Sequence, residues 1–347
     1  MNNALTDGLG DLGWPAHNNP DFWESGERPG RVSIMHGGSA EVIWFPRDDE
    51  EPVETLFELR HDLPLTPVAG DWVAIGGDEI RRVRERRTSL TRPDPNEKDV
   101  QVLAANIDLI MIVLPIDRGL NAKNLERLSV MAWDSGAHQV VILTKADLAD
   151  DVENSVTKAQ VLAPGVEVLV TSSLEGRGLG QVRARLGRGT TATMLGASGV
   201  GKTTLLNALE GREERTREVG RDGAGRHATT TRKLYRLASG GVLLDLPGIR
   251  SLDLLATEDA VNETFADIAA LSEHCRFRDC RHDGEPGCAV AEAIELGDLQ
   301  ERRLASWQAI RREMSYLDRR NDPAKVAAQR AEWKSVTKAA KQARESW

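Results

Sequence analysis

The stretch that decides the fold lies in the second half of the chain and reads Gly196-Ala197-Ser198-Gly199-Val200-Gly201-Lys202-Thr203-Thr204. It matches the pattern G-x-x-x-x-G-K-[ST], follows the apolar run 191–195 and opens a helical run at 205–209. In such a loop, backbone N–H groups surround a triphosphate, Lys202 reaches its β and γ phosphates, and Thr203 can ligate Mg²⁺. The stretch therefore predicts a nucleotide-binding loop, and an ordinary Gly-rich turn is the competing interpretation.

Length and charge limit the classes of protein to which this chain can belong. A chain of 347 residues is long enough for two or three domains, and we expect three. No run reaches the roughly 18 apolar residues of a membrane span, and the polar start lacks a signal-peptide core, so we expect a cytoplasmic protein with no membrane partner. The net charge is −9, yet residues 301–347 hold 12 Lys and Arg against 6 Asp and Glu. This basic end is a candidate partner-binding surface.

The first third of the chain predicts a small β-barrel. Residues 1–28 show no periodicity and are interpreted as a loose extension. Five short strand-like runs follow between residues 31 and 83, which suits an OB-type barrel. Five arginines crowd into 81–87, where a solvated strand face and an RNA-phosphate contact are equally good interpretations. Residues 88–98, with two prolines, look like a linker.

The middle of the chain alternates between strand and helix. The expected strands are 107–114, 139–143, 166–170, 234–237 and 242–246, and the expected helices are 124–133, 152–162 and 179–186. Such alternation predicts a parallel, doubly wound sheet, which is an α/β fold with ligands bound at the carboxyl ends of the strands.

The order of the motifs indicates a circular permutation. In GTPases the phosphate loop comes first, and D-x-P-G, [N/T]-K-x-D and a short guanine loop follow it. Here Thr144-Lys145-Ala146-Asp147 and Thr171-Ser172-Ser173 precede Gly196, whereas Thr229-Thr230-Thr231 and Asp245-Leu246-Pro247-Gly248 come after it. The same sheet can form in either order, because all these loops meet at one edge of it.

The motif residues favour guanine and predict a Mg²⁺-dependent GTP hydrolase. Asp147 can accept hydrogen bonds from N1–H and the exocyclic amine of guanine, whereas adenine would leave this carboxylate badly paired. Lys145 would lie along the base, and N–H groups around Ser172 and Ser173 would meet the base oxygen O6. Thr144, in the same motif as Ala146, is expected to form a hydrogen bond to a neighbouring loop. Asp245 and Thr203 are expected to bind Mg²⁺, and Gly248 is expected to contact the γ phosphate.

Hydrolysis is predicted to be slow without a partner. Ile249 stands where Ras-like enzymes carry a water-orienting Gln, and no other base is evident. We expect stimulation when a partner orders Arg226, His227 and the threonines after them. Ile249 also leaves an alternative open, an RNA-binding assembly scaffold that senses GTP without useful hydrolysis. A P-loop kinase or ATPase is disfavoured by Asp147.

A second site is predicted near the end of the chain by the spacing Cys275-x₄-Cys280-x-His282-x₅-Cys288. Three thiolates and one imidazole form a closed tetrahedral set, typical of structural zinc. Helical patterns flank it, the later ones rich in Arg and Lys. Free buried thiols beside an unrelated histidine are the competing interpretation.

Residues 30–320 resemble the bacterial ribosome small subunit-dependent GTPase A family. The resemblance rests on the permuted motif order, the cysteine–histidine spacing, Gly70-Asp71-Trp72-Val73, Ala104-Ala105-Asn106-Ile107-Asp108, and Gly225-Arg226-His227 followed by threonines. It implies a GTPase that acts late in maturation of the 30S ribosomal subunit, is stimulated by that subunit, and binds 16S rRNA through its barrel and zinc domain. The family's His-Thr-Thr-Thr reads His227-Ala228-Thr229-Thr230-Thr231 here, so Thr229 or Thr230 would face Mg²⁺.

The expected organisation is therefore multidomain. Residues 1–28 form the extension, 29–97 the OB-type barrel, 98–256 the circularly permuted GTPase domain, and 257–347 a helical zinc domain with basic helices. We expect a monomer that holds one zinc ion, uses Mg²⁺, and takes GTP as its substrate.

Overall fold

A computed structural model describes residues 3–14, 22–48, 50–93, 100–211, 233–246 and 256–321. The chain divides into two compact units, Met1–Thr91 with Val102–Leu252 and Arg92–Gln101 with Asp253–Trp347. The sites expected at 226–230 and 247–249 lie outside the described residues, as do the expected helical residues beyond 321.

A closed five-stranded barrel confirms the expected OB-type architecture. Its strands are β1 (Arg28–Met35), β2 (Ser39–Trp44), β3 (Val53–Leu59), β4 (Trp72–Gly76) and β5 (Glu79–Val83), in the order β1-β2-β3-β5-β4. Alternate residues of these strands point inward, and Val32, Val42, Phe57 and Ile80 are among those that fill the barrel.

The amino-terminal residues differ from the expected loose extension. Helix α1 (Asn3–Asp11) is followed by Leu12, and both Leu9 and Leu12 are fully buried. Trp14 lies edge-on against Trp72 of the barrel, with ring centroids 4.7 Å apart. The spacing of Leu5, Leu9 and Leu12 is the helical signal, which intervening glycines obscured.

The stretch expected to be a linker also contains regular structure. Strands β6 (Ser89–Pro93) and β7 (Val100–Ala105) pair with each other as a two-stranded ribbon. Residues 94–99 between them lie outside the described parts of the chain.

A six-stranded sheet forms the nucleotide-binding part of the first unit. Its elements are β8 (Leu109–Pro115), α2 (Ala122–Ser135), β9 (His138–Thr144), a 3₁₀ turn (Ala146–Leu148), α3 (Val152–Leu162), β10 (Glu167–Val170), α4 (Leu179–Arg185), β11 (Thr191–Leu195), α5 (Lys202–Glu210), β12 (Lys233–Arg236) and β13 (Val242–Asp245). The order is β10-β9-β8-β11-β13-β12, and all neighbours are parallel except β12, which runs antiparallel to β13. The expectation of a parallel sheet therefore fails only at this edge strand.

The core of this sheet is apolar on the face that carries α4 and α5. Leu179 and Val182 of α4 and Leu205 and Leu209 of α5 join one buried cluster with sheet residues such as Met111. Burial of large aliphatic side chains on both elements anchors α5, and with it the loop that precedes α5.

Arg31 lies where the barrel, the amino-terminal residues and the start of the sheet meet. It is fully buried and donates to the carbonyl oxygens of Gly70 at 3.2 Å, Asn106 at 3.1 Å and Leu12. Its guanidinium carbon lies 4.9 Å from the ring centroid of Trp72. One charged side chain thus satisfies acceptors from three separate segments.

The second unit is helical, as expected. Its helices are α6 (Glu258–Thr264), α7 (Ala266–Ser272), α8 (Ala289–Leu296) and α9 (Glu301–Asn321). Arg303 of α9 is buried, pairs with Asp267 at 2.8 Å and 3.0 Å, and also donates to the carbonyl of Thr264. This bidentate pair fixes α9 against the α6–α7 turn. Within the described ranges, no helix combines the length and apolar character that a membrane span requires.

Candidate nucleotide and metal sites

The loop between β11 and α5 has the backbone conformation that a phosphate cradle needs. Gly196, Gly199 and Gly201 have φ values of +156°, +81° and +103°, and a Cβ at Gly196 would lie 2.5 Å from the carbonyl oxygen of Val113. Val200 is buried, whereas Ala197, Ser198 and Gly199 form an exposed tip. The loop can therefore present its N–H groups to an anion at the start of α5.

Lys202, Thr203 and Asp245 line a common cavity of about 150 Å³, together with other residues of α5 and residues of β12. The ammonium of Lys202 donates to the carbonyl oxygens of Gly196 at 2.7 Å and Ala197 at 2.9 Å, so it lies folded over its own loop. The exposed Thr203 and the Asp245 carboxylate offer oxygen atoms of the kind that Mg²⁺ prefers, so the two residues could hold this ion.

Lys202 and Asp245 influence each other's protonation. Burial lowers the pKa of Lys202, and the nearby Asp245 partly offsets that shift. Burial likewise raises the pKa of Asp245, and Lys202 partly offsets it. Both charged forms are therefore less favourable than in water, and a phosphate beside Lys202 or a cation beside Asp245 would stabilise them.

Residues 144–147, the candidate base-recognition motif, are bonded directly to the phosphate loop. The buried hydroxyl of Thr144 donates to the carbonyl of Val200 at 2.6 Å. Thr144 thus makes the loop-to-loop bond for which Asn is the commoner residue. Asp147 follows in the 3₁₀ turn and is half-buried, while Ala146 donates its N–H to the carbonyl of Thr171 at 3.2 Å.

The candidate guanine loop begins at Thr171, directly after β10. The N–H of Ser172 donates to the carbonyl of Arg177 at 3.1 Å, so it serves to close the loop. The hydroxyl of Ser172 accepts from the N–H of Glu175 at 3.2 Å. In the described structure the N–H of Ser173 has no such acceptor, which makes Ser173 the better placed donor to a base oxygen.

Cys275, Cys280, His282 and Cys288 come together in the second unit, with their four ligand atoms all within 4.8 Å of one another. Burial and the neighbouring thiols raise the pKa of Cys280 to about 12. Crowded thiols of this kind cannot all ionise unless a cation offsets their charge. Three sulfurs and one imidazole nitrogen fit Zn²⁺, which would supply a structural cross-link rather than chemistry.

A second layer of contacts fixes which nitrogen of His282 faces the thiols. Ser272 donates its hydroxyl hydrogen to the carbonyl of Ile268 at 2.7 Å, so it must accept from His282 Nε2, 2.9 Å away. The other nitrogen, Nδ1, lies 3.4 Å from Cys288 Sγ and 3.7 Å from Cys275 Sγ. Burial lowers the pKa of His282, which favours the neutral imidazole that metals bind.

Comparison with known proteins indicates the family to which the chain is related. A family model for the RsgA GTPase matches residues 83–255. The small ribosomal subunit biogenesis GTPase RsgA of Streptomyces coelicolor is 40% identical over 331 residues, which cover 91% of this chain and 89% of that protein. RsgA 1 of Listeria innocua is 38% identical over 275 residues, 78% of this chain and 79% of that protein.

The chain belongs to the RsgA GTPase family.

Solved structures share the fold. The crystal structure of YjeQ from Thermotoga maritima matches with a TM-score of 0.62 and 26% identity, over 83% of this chain and 98% of that chain. YloQ, described as a circularly permuted GTPase, matches with a TM-score of 0.59 and 23% identity, over 86% of this chain and 98% of that chain. The expected resemblance and the multidomain, circularly permuted fold are confirmed.

Within this RsgA-family chain, the arginines of 81–87 largely have partners in the first unit. The pairs are Arg82 with Glu24 at 2.9 Å and with Glu27, Arg86 with Asp71 at 2.7 Å, and Arg87 with Asp108 at 2.9 Å. The guanidinium carbon of Arg84 lies 4.6 Å from a ring centroid of Trp14. A carboxylate beside each of these guanidinium groups offsets its charge and weakens its attraction for a phosphate, so a structural role is the better interpretation of this cluster.

The sequence pattern did not reveal Asp117, Ser272 or Arg31 as contributors. Asp117 contacts Lys145 of the base-recognition motif, and Ser272 contacts His282. No motif spacing marks these residues, because their contacts depend on strand order and helix packing.

Proposed function

We propose that this protein hydrolyses GTP to GDP and phosphate with Mg²⁺, and that it binds the small ribosomal subunit during late maturation. Membership of the RsgA GTPase family supports the activity, and the relatives' name, small ribosomal subunit biogenesis GTPase, supports the process. The observation that carries the proposal is the 2.6 Å bond between Thr144 and the carbonyl of Val200, because it joins the base-recognition motif to the phosphate loop.

The proposed residue roles follow from the positions of the loops. The backbone of 196–201 and the Lys202 ammonium bind the phosphates, and Thr203 with Asp245 holds Mg²⁺. Asp147 accepts hydrogen bonds from the Watson–Crick edge of guanine, and Lys145 lies along the base. The remaining contacts with the nucleotide come from Ser172, Ser173, Ala146 and Thr204. We also assign Thr229 or Thr230 to Mg²⁺ and Gly248 to the γ phosphate, as the motif order implies.

Turnover would depend on a partner, because Ile249 provides no group that orients water. The small subunit would supply that stimulation by ordering the segment that contains Arg226 and His227. We propose 16S rRNA as a direct contact, a monomer in the cytoplasm, and one structural Zn²⁺ held by the Cys₃His set.

The deciding experiment measures GTP turnover against increasing concentrations of small subunits, at low and moderate salt. We expect stimulation that weakens as salt rises, because phosphate contacts release counterions. Lys202→Ala should abolish turnover, whereas Lys158→Ala, which alters an exposed lysine of α3, should leave it unchanged. GTP binding without turnover, even with subunits, would instead support the assembly scaffold. Fast turnover in the absence of subunits would contradict the partner dependence.

A further inference from the structure

The loop after β8 occupies a central position in the nucleotide site. In the sheet, β8 lies between β9, which leads into the base-recognition motif, and β11, which leads into the phosphate loop. Parallel strands deliver their following loops to one edge, so the β8 loop lies between the other two. It is a tight turn, with the N–H of Gly119 bonded to the carbonyl of Ile116 at 3.1 Å.

Asp117 in this turn forms an ion pair with the motif lysine. Its Oδ2 lies 3.1 Å from Lys145 Nζ, and the two side chains are 25% and 33% exposed. The backbones on either side are also bonded, because the N–H of Ile116 donates to the carbonyl of Thr144 at 3.0 Å. Lys145 has a left-handed φ of +58°, which further limits the direction of its side chain. Hydrogen-bonded backbone next to Asp117 and next to Lys145 therefore holds this ion pair in place.

We propose that Asp117 is a positioning residue for base recognition, and that its carboxylate holds the Lys145 ammonium so that the lysine stem forms one wall of the guanine site. The inference rests on the proposed GTP-binding function. An unheld lysine samples many rotamers and loses that freedom when a base arrives, whereas a held stem is already ordered. Asp117 acts through Lys145 and needs no contact with the nucleotide.

The test compares nucleotide affinity in Asp117→Asn and in Asp150→Asn. Asp150 is an exposed carboxylate three residues after Asp147, so its removal controls for the loss of a negative charge close in sequence to the base-recognition motif. We expect Asp117→Asn to weaken GTP and GDP by the same factor, about threefold to tenfold, since the base is common to both. Turnover at saturating GTP and small subunit should stay at the wild-type value, because the base wall does not touch the reacting phosphate.

A double-mutant cycle with Lys145→Met separates positioning from a general structural effect. Methionine keeps an apolar stem but has no ammonium, so Asp117→Asn should have no further effect on affinity in that background. A persistent loss there would overturn the inference, and so would equal affinities of Asp117→Asn and Asp150→Asn. A loss seen with GTP but not with 2′-deoxy-GTP would also overturn it, because it would place Asp117 on the ribose.

These outcomes can be told apart from failure of the proposed function. If the wild-type protein shows no affinity for guanine nucleotides, the proposed function fails. If the wild type binds GTP and the cycle shows no coupling between Asp117 and Lys145, only the positioning role fails.

Discussion

At the scale of single residues, purine selectivity rests on Asp147. We predict that Asp147→Asn lowers the affinity for GTP by roughly 100-fold or more, because its amide would oppose the N1–H and amine donors of guanine. Xanthosine triphosphate, which has a carbonyl in place of that amine, should bind the variant better than it binds the wild type. Isothermal titration calorimetry with both nucleotides measures the switch, and unchanged GTP affinity in the variant would show that Asp147 does not face the base.

Asp245 predicts a distinctive pH dependence of Mg²⁺ binding. Burial raises the pKa of this carboxyl, so it takes up a proton at higher pH than an ordinary aspartate. Mg²⁺ requires the charged form, and the Mg²⁺ affinity of the GTP complex should therefore begin to fall at a higher pH than an unshifted carboxylate would allow. Asp245→Asn should bind Mg²⁺ weakly at every pH. A flat profile for the wild type across the acidic range would contradict the assignment.

Residues in short motifs could be predicted from the sequence, and residues that act through other residues could not. Lys202 and Thr144 were identified because a phosphate loop and a base-recognition loop have fixed spacings. Asp117 has no such spacing, since its contact with Lys145 exists only because β8 lies between β9 and β11. The order of the strands along the chain does not show that β8 lies between β9 and β11 in the sheet.

At the scale of elements, the metal cluster depends on the end of α7. Ser272 accepts a hydrogen bond from His282 Nε2 and so aims Nδ1 at the cysteines. We predict that Ser272→Ala lowers Zn²⁺ affinity roughly 10- to 100-fold, as expected when an outer partner of a metal ligand is lost. Competition with a chromogenic chelator measures the affinity, and Ser306→Ala on α9 is the control. Equal affinities in the two variants would show that Ser272 does not orient the ligand.

The helices and strands differ in how clearly the sequence predicts them. Short runs of strand-forming residues between turn residues mark the barrel, so five strands were predicted in this part of the chain. Helix α1 was missed because Gly8 and Gly10 interrupt the pattern of Leu5, Leu9 and Leu12. Its stability comes from burial of those leucines rather than from helix propensity, and burial depends on the rest of the unit.

At the scale of the whole molecule, charged side chains that cluster in the sequence form ion pairs within the first unit, although the clustering suggests a binding surface. The arginines of 81–87 look like a nucleic-acid surface in the sequence, yet three of them form ion pairs with carboxylates of the same unit. The chain carries a net charge of −9, so its acidic residues offer many such partners. A run of like charges in the sequence therefore indicates a binding surface only where folding leaves those charges unpaired.

A substitution at Arg31 tests whether the barrel and the sheet of the first unit unfold together. Burial lowers the pKa of Arg31 to about 9, so at neutral pH it remains charged and depends on the carbonyls of Leu12, Gly70 and Asn106. Arg31→Met keeps much of the volume but removes the guanidinium donors to the carbonyls of Leu12 and Asn106, and each loss costs about 1–3 kcal/mol. The carbonyl of Gly70 also loses its bond to Arg31 but keeps the side-chain amide of Asn106 as a donor at 3.2 Å. Because the losses share one site they will not add fully, and we predict a drop of about 3–5 kcal/mol in the free energy of unfolding.

Urea unfolding followed by tryptophan fluorescence measures that drop, since Trp14 and Trp72 lie beside Arg31 in the same unit. Arg47→Met is the matched control, because the Arg47 side chain is 77% exposed and its pair with Glu50 should contribute under about 1 kcal/mol. If Arg31 joins the three segments, its loss should also separate the unfolding of the barrel from that of the sheet, and a second transition should appear. A single transition with the stability of the Arg47→Met control would mean that apolar packing alone holds the segments together.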